Sequence, residues 1–224
     1  RKRPSHDHHH HRNPAPAGGW NWGFCTASLG VSVSPFPVLT TQRLILRDFL
    51  EKDVDAFFAM FSDDRVTEFY DCNTFSNVDQ AQKLVAANIR RNAALDAFGV
   101  RWVICLADSP ERAVGSCGIH SINTNFRSLE IGYDLHPDYW GNGYAFEAVS
   151  KMLDFCFSSD MPIHVNRVSA TTDLESHKSI ALLRRLGFSE EGILRQYGFW
   201  KDRFNDVRLF SLLREEWASN EKSA

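Results

Sequence analysis

A chain of 224 residues with 43% hydrophobic content is long enough to fill one substantial core, and its length suits one domain with a tail. Its formal net charge of −3, with Lys and Arg interspersed among Asp and Glu, offers no basic stripe to neutralise a phosphate backbone, so direct nucleic-acid binding is excluded from the expected partners. Cys25, Cys72, Cys105, Cys117 and Cys156 show no C-x-x-C spacing and read as reduced thiols. No apolar run reaches the length of a membrane helix, and no signal-like segment opens the chain, so the expected location is cytoplasmic and no membrane partner is expected.

In chain order, residues 1–37 are basic, then histidine-rich (His6, His8 to His11), then rich in Pro, Gly and Ser. Such a stretch buries too little apolar surface to order itself, and imidazoles on it lack the second shell of a metal site. A disordered or tag-like tail is expected, with no metal centre. The globular part should span 38–218, leaving 219–224 as a second tail. Leu44, Leu46 and Arg47 to Phe49 read as a first strand, and Asp53 as the N-cap of a helix carrying Val54, Phe57, Phe58 and Phe61. A second helix from about Asn77 places Ala81, Leu84, Val85, Ile89 and Ala93 on one face. Val100 to Ala107 and Ala113 to Ile122 flank the turn signal Asp108-Ser109-Pro110-Glu111, and a third run begins near Leu129; together they predict an antiparallel meander. Val165 to Thr172 predicts a strand, His177 to Leu186 a helix ended by Gly187, and Gly192 to Trp200 with Val207 to Leu213 a closing pair. The class is α+β or mixed α/β around one central sheet.

Between the meander and its next helix lies Trp140-Gly141-Asn142-Gly143-Tyr144-Ala145. Two glycines permit a tight turn with several N–H groups aimed one way, and the helix of Phe146, Val149, Met152, Leu153, Cys156 and Phe157 adds its unpaired donors and positive dipole end. That is an anion cradle suited to phosphate. A nucleotide-hydrolase P-loop is ruled out by Tyr144-Ala145 where Lys-Ser/Thr is required, and the dinucleotide fingerprint by Phe146 where its third glycine should stand. A plain helix-capping turn remains the alternative at this point.

The order of meander, glycine loop, helix, strand, helix, Leu186-Gly187-Phe188 and final hairpin resembles the GCN5-related N-acetyltransferase (GNAT) superfamily, and within it the RimJ/RimL type of ribosomal-protein N-terminal acetyltransferase. Thr41-Gln42-Arg43-Leu44-Ile45-Leu46-Arg47, Ile131-Gly132-Tyr133, Leu209-Phe210-Ser211-Leu212-Leu213 and Glu216-Trp217 carry the resemblance over Val38 to Trp217. It implies a single domain with a twisted, mostly antiparallel sheet of about seven strands and about four helices. It implies acetyl-coenzyme A as co-substrate, and a peptide N-terminus or small amine as acceptor. A homodimer is compatible with it. The superfamily loop reads Q/R-x-x-G-x-G/A, matched here at Gly143 and Ala145 and departed from at Trp140; pyrophosphate binding by backbone survives the departure. Where the family often has Asn-x-x-Ser, this chain has Ser176-His177-Lys178-Ser179, and the shorter reach of Ser176 implies that the contact to the pantetheine arm is bridged by water or lost.

Acetyl transfer to an amine needs a neutral nucleophile, stabilisation of an oxyanion and a proton for the thiolate. The resemblance puts the thioester carbonyl on backbone N–H groups around Leu135-His136. Glu130, at the start of the strand leading there, is the first candidate for the base, with His120 on the preceding strand as the second. Ser179 matches the family position facing the sulfur, and Tyr197 is the other hydroxyl that could protonate the thiolate. The cofactor-binding set is Leu135, His136, Trp140, Gly141, Asn142, Gly143, Tyr144, Ala145, Ser176 and Ser179. No acidic cluster is visible along the chain, which points away from a polycationic acceptor and toward one with a single amine. The expected activity is N-acetylation of a protein N-terminal α-amine. The rivals are acetylation of an antibiotic, polyamine or amino-acid-like amine on the same fold, and a non-catalytic coenzyme-A-binding module.

Overall fold

The computed structural model describes residues 36–94 and 99–222. Within them one sheet contains β1 (Leu39–Thr40), β2 (Leu44–Arg47), β3 (Gly99–Leu106), β4 (Ala113–Asn123), β5 (Ser128–Leu135), β6 (Arg167–Asp173), β7 (Ser189–Trp200) and β8 (Arg203–Leu213). Their spatial order is β1-β2-β3-β4-β5-β6-β8-β7, with every neighbouring pair antiparallel except β5 and β6. The helices are α1 (Val54–Phe61), α2 (Asp64–Thr67), α3 (Val78–Ala94), α4 (Tyr144–Cys156), α5 (His177–Arg185) and α6 (Arg214–Lys222).

Strand β3 shows why the sheet sits between two layers. Successive side chains point to opposite faces, and here both faces are apolar: Trp102 and Ile104 enter the core under α4 and α5, while Val103 and Cys105 enter the core under α1 and α3. Phe57 of α1 is fully buried in the second core and stacks on Phe49 with ring centroids 5.1 Å apart. Truncating such a ring to alanine costs about 3–5 kcal/mol.

The structure adds one strand and two helices to the expected seven and four. β1 is too short to show alternation, α2 is a single turn, and α6 is polar over most of its surface. What holds α6 is a few side chains: Glu216 Oε1 accepts the Leu213 N–H at 2.9 Å, and Trp217 packs against the core and donates Nε1 to Asp154 Oδ1 at 3.0 Å. The expected tail at 219–224 is therefore corrected, because the helix runs through Lys222. The expected boundary at Val38 also moves, since Phe36 is buried against the core and the Pro37 carbonyl accepts the Trp102 indole N–H at 2.6 Å. The rest of the expected N-terminal tail, with its histidines and Cys25, lies outside the described residues. Cys72, Cys105, Cys117 and Cys156 are free thiols. No helix among the described residues is long and apolar enough to cross a membrane.

Asp53 precedes α1 as expected but does not cap it with its side chain. Its carboxylate instead takes a bidentate pair from Arg47 at 2.8 and 2.9 Å and the Leu50 N–H at 2.8 Å. The end of α5 follows expectation: Gly187 has φ +96°, its N–H bonds the Arg184 carbonyl, and the Phe188 N–H bonds the Leu183 carbonyl. That pair of bonds closes the helix in a Schellman motif.

One departure from regular pairing sets up everything that follows. β5 and β6 pair in parallel only at Ser128/Arg167, Leu129/Val168 and Glu130/Ser169. Beyond Glu130, β5 stays with β4 as far as Leu135, and β6 stays with β8 as far as Asp173. The sheet opens into a V between them.

Candidate active site

The 140–145 loop follows β5 and leads directly into α4. Gly141 and Gly143 both adopt left-handed backbone, φ +78° and +79°, and Gly143 is the N-cap of α4. A Cβ at Gly143 would meet only Arg43 Nη2 at 3.5 Å, so glycine is required for its backbone conformation and not for space. The first helical bond runs from the Glu147 N–H to the Gly143 carbonyl, leaving the N–H groups of the preceding turn for a ligand. Trp140 does not replace a phosphate-binding Gln or Arg in kind. Its indole N–H holds the Leu135 carbonyl at 2.8 Å, and Lys178 of α5 lies over its ring at 3.8 Å. The cation at this end of the loop thus comes from α5.

Along β5, the peptide groups that face the V follow from the register. The His136 N–H donates to the Val114 carbonyl at 2.8 Å, which makes the neighbouring Leu135/Gly115 rung a non-hydrogen-bonded pair. Leu135 and, two residues back, Tyr133 therefore turn their N–H and C=O groups toward the missing strand. Their carbonyls are taken by Trp140 Nε1 and by the Tyr70 hydroxyl at 3.1 Å. Their N–H groups point into the V. The expectation for Leu135-His136 is corrected accordingly: the His136 amide is consumed inside the sheet, and Tyr133 stands in its place.

A cleft of about 570 Å³ passes through the V and reaches both faces of the sheet. Glu130, His120, Ser176, Ser179 and Tyr197 all line it, although they come from β5, β4, α5 and β7. Glu130 forms the last rung before the strands part, opposite His120, with Nδ1 of the histidine 3.6 Å from Oε2. Burial raises the Glu130 carboxyl above the usual range. Burial, aided by the Arg101 and Arg91 charges, lowers His120. The two shifts bring the carboxylate and the imidazole closer together in basicity. Tyr197 is raised by burial and then by the Glu130 and Asp71 carboxylates.

On the α5 side, Ser179 lies close enough to the Tyr133 hydroxyl to influence its ionisation. Burial pushes that phenol up to about 12, against the opposing pull of the serine, so Tyr133 keeps its proton at neutral pH. Ser176, the N-cap of α5, is buried and makes no capping bond with its side chain, which leaves its hydroxyl for the cleft. The side chain of Asn142 serves the loop itself, donating to the carbonyls of Tyr139 and Trp140 at 3.3 and 3.1 Å. Tyr144 lies under the Arg43 guanidinium, 4.5 Å from its ring centroid, and Ala145 is half-buried against the core.

Several lining residues carry no signal in the sequence. Asp134 of β5 accepts from Arg101 Nη2 at 2.8 Å and from Ser116 at 2.7 Å, both on Oδ2. Gly118 lets this happen: a Cβ there would meet the Arg101 side chain at 2.9 Å, blocking its path across β4. Oδ1 of Asp134 and the hydroxyl of Thr172 are buried without a hydrogen-bond partner, and both residues line the cleft. Asp71 lines the same cleft from an exposed position at its rim. Asp71, Glu130 and Asp134 thus come together in one cleft, which the linear chain does not display, although Arg91 and Arg101 line it too and Arg101 is paired with Asp134. Among the described residues no group of His, Cys, Asp and Glu is arranged to hold a metal ion.

Comparison with known proteins agrees with this geometry. Residues 43–189 match the family model described as "Acetyltransferase (GNAT) domain". The chain is 35% identical over 181 residues to the uncharacterized N-acetyltransferase YoaA of Bacillus subtilis (strain 168), covering 80% of this chain and 98% of that one. It is 24% identical over 143 residues to the spermidine N(1)-acetyltransferase of Vibrio cholerae, covering 64% of this chain and 77% of that protein. The fold superposes on the RimL ribosomal L7/L12 α-N-protein acetyltransferase solved with coenzyme A, with TM-score 0.67 and 18% identity over 79% of this chain and 98% of that one. A single mixed α/β domain, the family match over most of its length and the close relative together show that the chain belongs to the GNAT family of acetyl-coenzyme A-dependent N-acetyltransferases.

Proposed function

We propose that this enzyme acetylates a protein N-terminal α-amine, with Glu130 as general base, Ser179 as the hydroxyl facing the departing thiolate, and the 140–145 loop as the pyrophosphate cradle. The observation that carries this reading is the cleft through the parted strands, where Glu130 and Ser179 line opposite sides of one gap. An α-amine ionises about two and a half pKa units below lysine, so a single half-buried carboxylate suffices to deprotonate it, directly or through one water. The free N–H groups of Leu135 and Tyr133 stabilise the oxygen that takes up charge during attack, each worth about 3 kcal/mol when well aimed. As the thiolate leaves, Ser179 donates to it, and Tyr133 stands close to the serine with a phenol that stays protonated. Tyr197 is the second donor, reaching the cleft from β7. Leu135, Trp140, Gly141, Asn142, Gly143, Tyr144, Ala145 and Ser176 make up the remaining coenzyme contacts, and His136 contributes through its side chain only.

A second reading is favoured by one feature, the carboxylates of Asp71 and Glu130, neither held in an arginine ion pair among the described residues, beside Phe69, Tyr70 and Trp200. That lining suits a small cationic amine, and a relative of this chain is named for spermidine. Thiol release from acetyl-coenzyme A, measured with N-terminal peptides and with a panel of diamines and polyamines, separates the two. Peptide kcat/KM at least tenfold above every small amine supports the first reading, and the reverse order replaces it with the second.

A further inference from the structure

The turn Thr41-Gln42-Arg43 between β1 and β2 lies far from the loop in sequence, yet the fold bolts it there. Glu147 of α4 accepts the Arg43 backbone N–H at 3.0 Å on Oε2 and Arg43 Nε at 2.8 Å on Oε1, and Thr41 donates its hydroxyl to Oε2. Burial favours the protonated form of Glu147, but these hydrogen bonds outweigh it and hold the carboxyl below the usual range. Fixed at its base, the Arg43 guanidinium stacks on Tyr144 and donates Nη1 to the Asn142 carbonyl at 3.0 Å.

The consequence follows from peptide geometry. In a trans peptide the carbonyl of one residue and the N–H of the next point in opposite directions. Gripping the Asn142 carbonyl therefore turns the Gly143 N–H the other way. The Asn142 side chain does the same one peptide pair earlier: it grips the Trp140 carbonyl at 3.1 Å, which turns the Gly141 N–H away from it. Gly141 and Gly143 are the two residues whose left-handed backbone leaves the loop free to reorient. Each flexible point is thus stopped by one carbonyl grip.

We propose that Arg43 and Asn142 are positioning residues that aim the Gly143 and Gly141 N–H donors at the pyrophosphate of coenzyme A, with Glu147 as the anchor that keeps Arg43 on the loop. The proposal rests on the cradle assignment made above. It assigns Arg43 a role through the backbone, with Nε committed to Glu147 and one Nη1 N–H to the Asn142 carbonyl.

The test is calorimetric binding of coenzyme A to the full chain and three variants, with steady-state kinetics beside it. Arg43→Met is expected to weaken coenzyme A about tenfold and to raise the acetyl-coenzyme A KM by the same factor, with little change in kcat. Its preference for acetyl-coenzyme A over S-acetylpantetheine, which lacks the pyrophosphate, should fall about tenfold. Arg43→Lys, retaining one donor, should recover part of the loss. Glu147→Ala separates aiming from direct contact: loss of the anchor weakens coenzyme A severalfold if Arg43 aims the loop, whereas an arginine that binds phosphate itself would be released to bind it as well or better. Unchanged affinity in Arg43→Met, an equal loss with both acetyl donors, or unimpaired binding in Glu147→Ala overturns the proposal. Failure of the unaltered protein to bind coenzyme A would overturn the cradle assignment itself.

Discussion

The two halves of the proposed site are built by different means. The donor half, loop 140–145 with the first turn of α4, is contiguous in sequence and works through peptide N–H groups. The acceptor half gathers Asp71, His120, Glu130, Asp134 and Tyr197 from separate segments and works through side-chain charge. A site made of backbone tolerates changes of side chain and fails when backbone conformation is altered. A site made of converging charges has the opposite weakness. The cleft itself lies where β5 and β6 part after Glu130.

Four substitutions sharpen that contrast. Glu130→Gln keeps the shape of the acceptor half and removes its base, so kcat/KM should fall about a hundred- to a thousandfold with coenzyme affinity nearly intact. The pH profile carries a further sign: activity depends on ionised Glu130, so it is lost as pH falls through a folded pKa that burial has raised, and this acid limb should vanish in the variant. Retention of the limb would assign the base elsewhere. Gly143→Val attacks the donor half through its backbone. Forcing a β-branched residue to φ +79° costs about 1–3 kcal/mol, so calorimetry should show coenzyme binding up to about a hundredfold weaker, in a protein whose melting temperature moves little. Asp71→Asn, at the rim, should raise the KM of a diamine about fivefold while leaving a singly charged peptide amine nearly unaffected. Lys178→Met should raise the acetyl-coenzyme A KM about threefold, and the loss should shrink at high salt because the lysine acts by charge.

Much of the donor half was legible in the chain. The glycine spacing, the apolar stripe of α4 and the absence of a P-loop lysine led to a phosphate cradle and then to the family loop. Those signals are local, and a helix N-terminus needs nothing distant to bind an anion. The β meander was legible for the same reason, through period-two alternation and the Asp108-to-Glu111 turn. β1 and α6 were not, because a two-residue strand has no period and a polar helix is held by a few side-chain contacts with its neighbours.

Glu130 and Ser179 were found through the strands and helices on which the family resemblance set them, but their convergence was not readable. Tyr133 was quoted only as part of a motif. Its place beside Ser179 depends on β5 and α5 packing on one face. The meeting of Asp71 with Asp134 was hidden for an equally plain reason: 63 residues separate them in the numbering, and charge density along a chain does not report charge density in a cleft. His136 illustrates the finer limit. Sequence located the right turn of chain, but which of two adjacent amides is free depends on register with β4, and a shift of one residue reverses it.

By itself, then, the sequence determined most of the elements, the family and the glycine loop ahead of α4, since these depend on side-chain periodicity and on the backbone freedom of two glycines. The tertiary structure alone decided which amides face the V, which carboxylates share the cleft, and which arginine grips the loop. Those depend on strand register and on contacts between segments a hundred residues apart, such as Arg43 with Glu147, whose pairing leaves no local pattern to read.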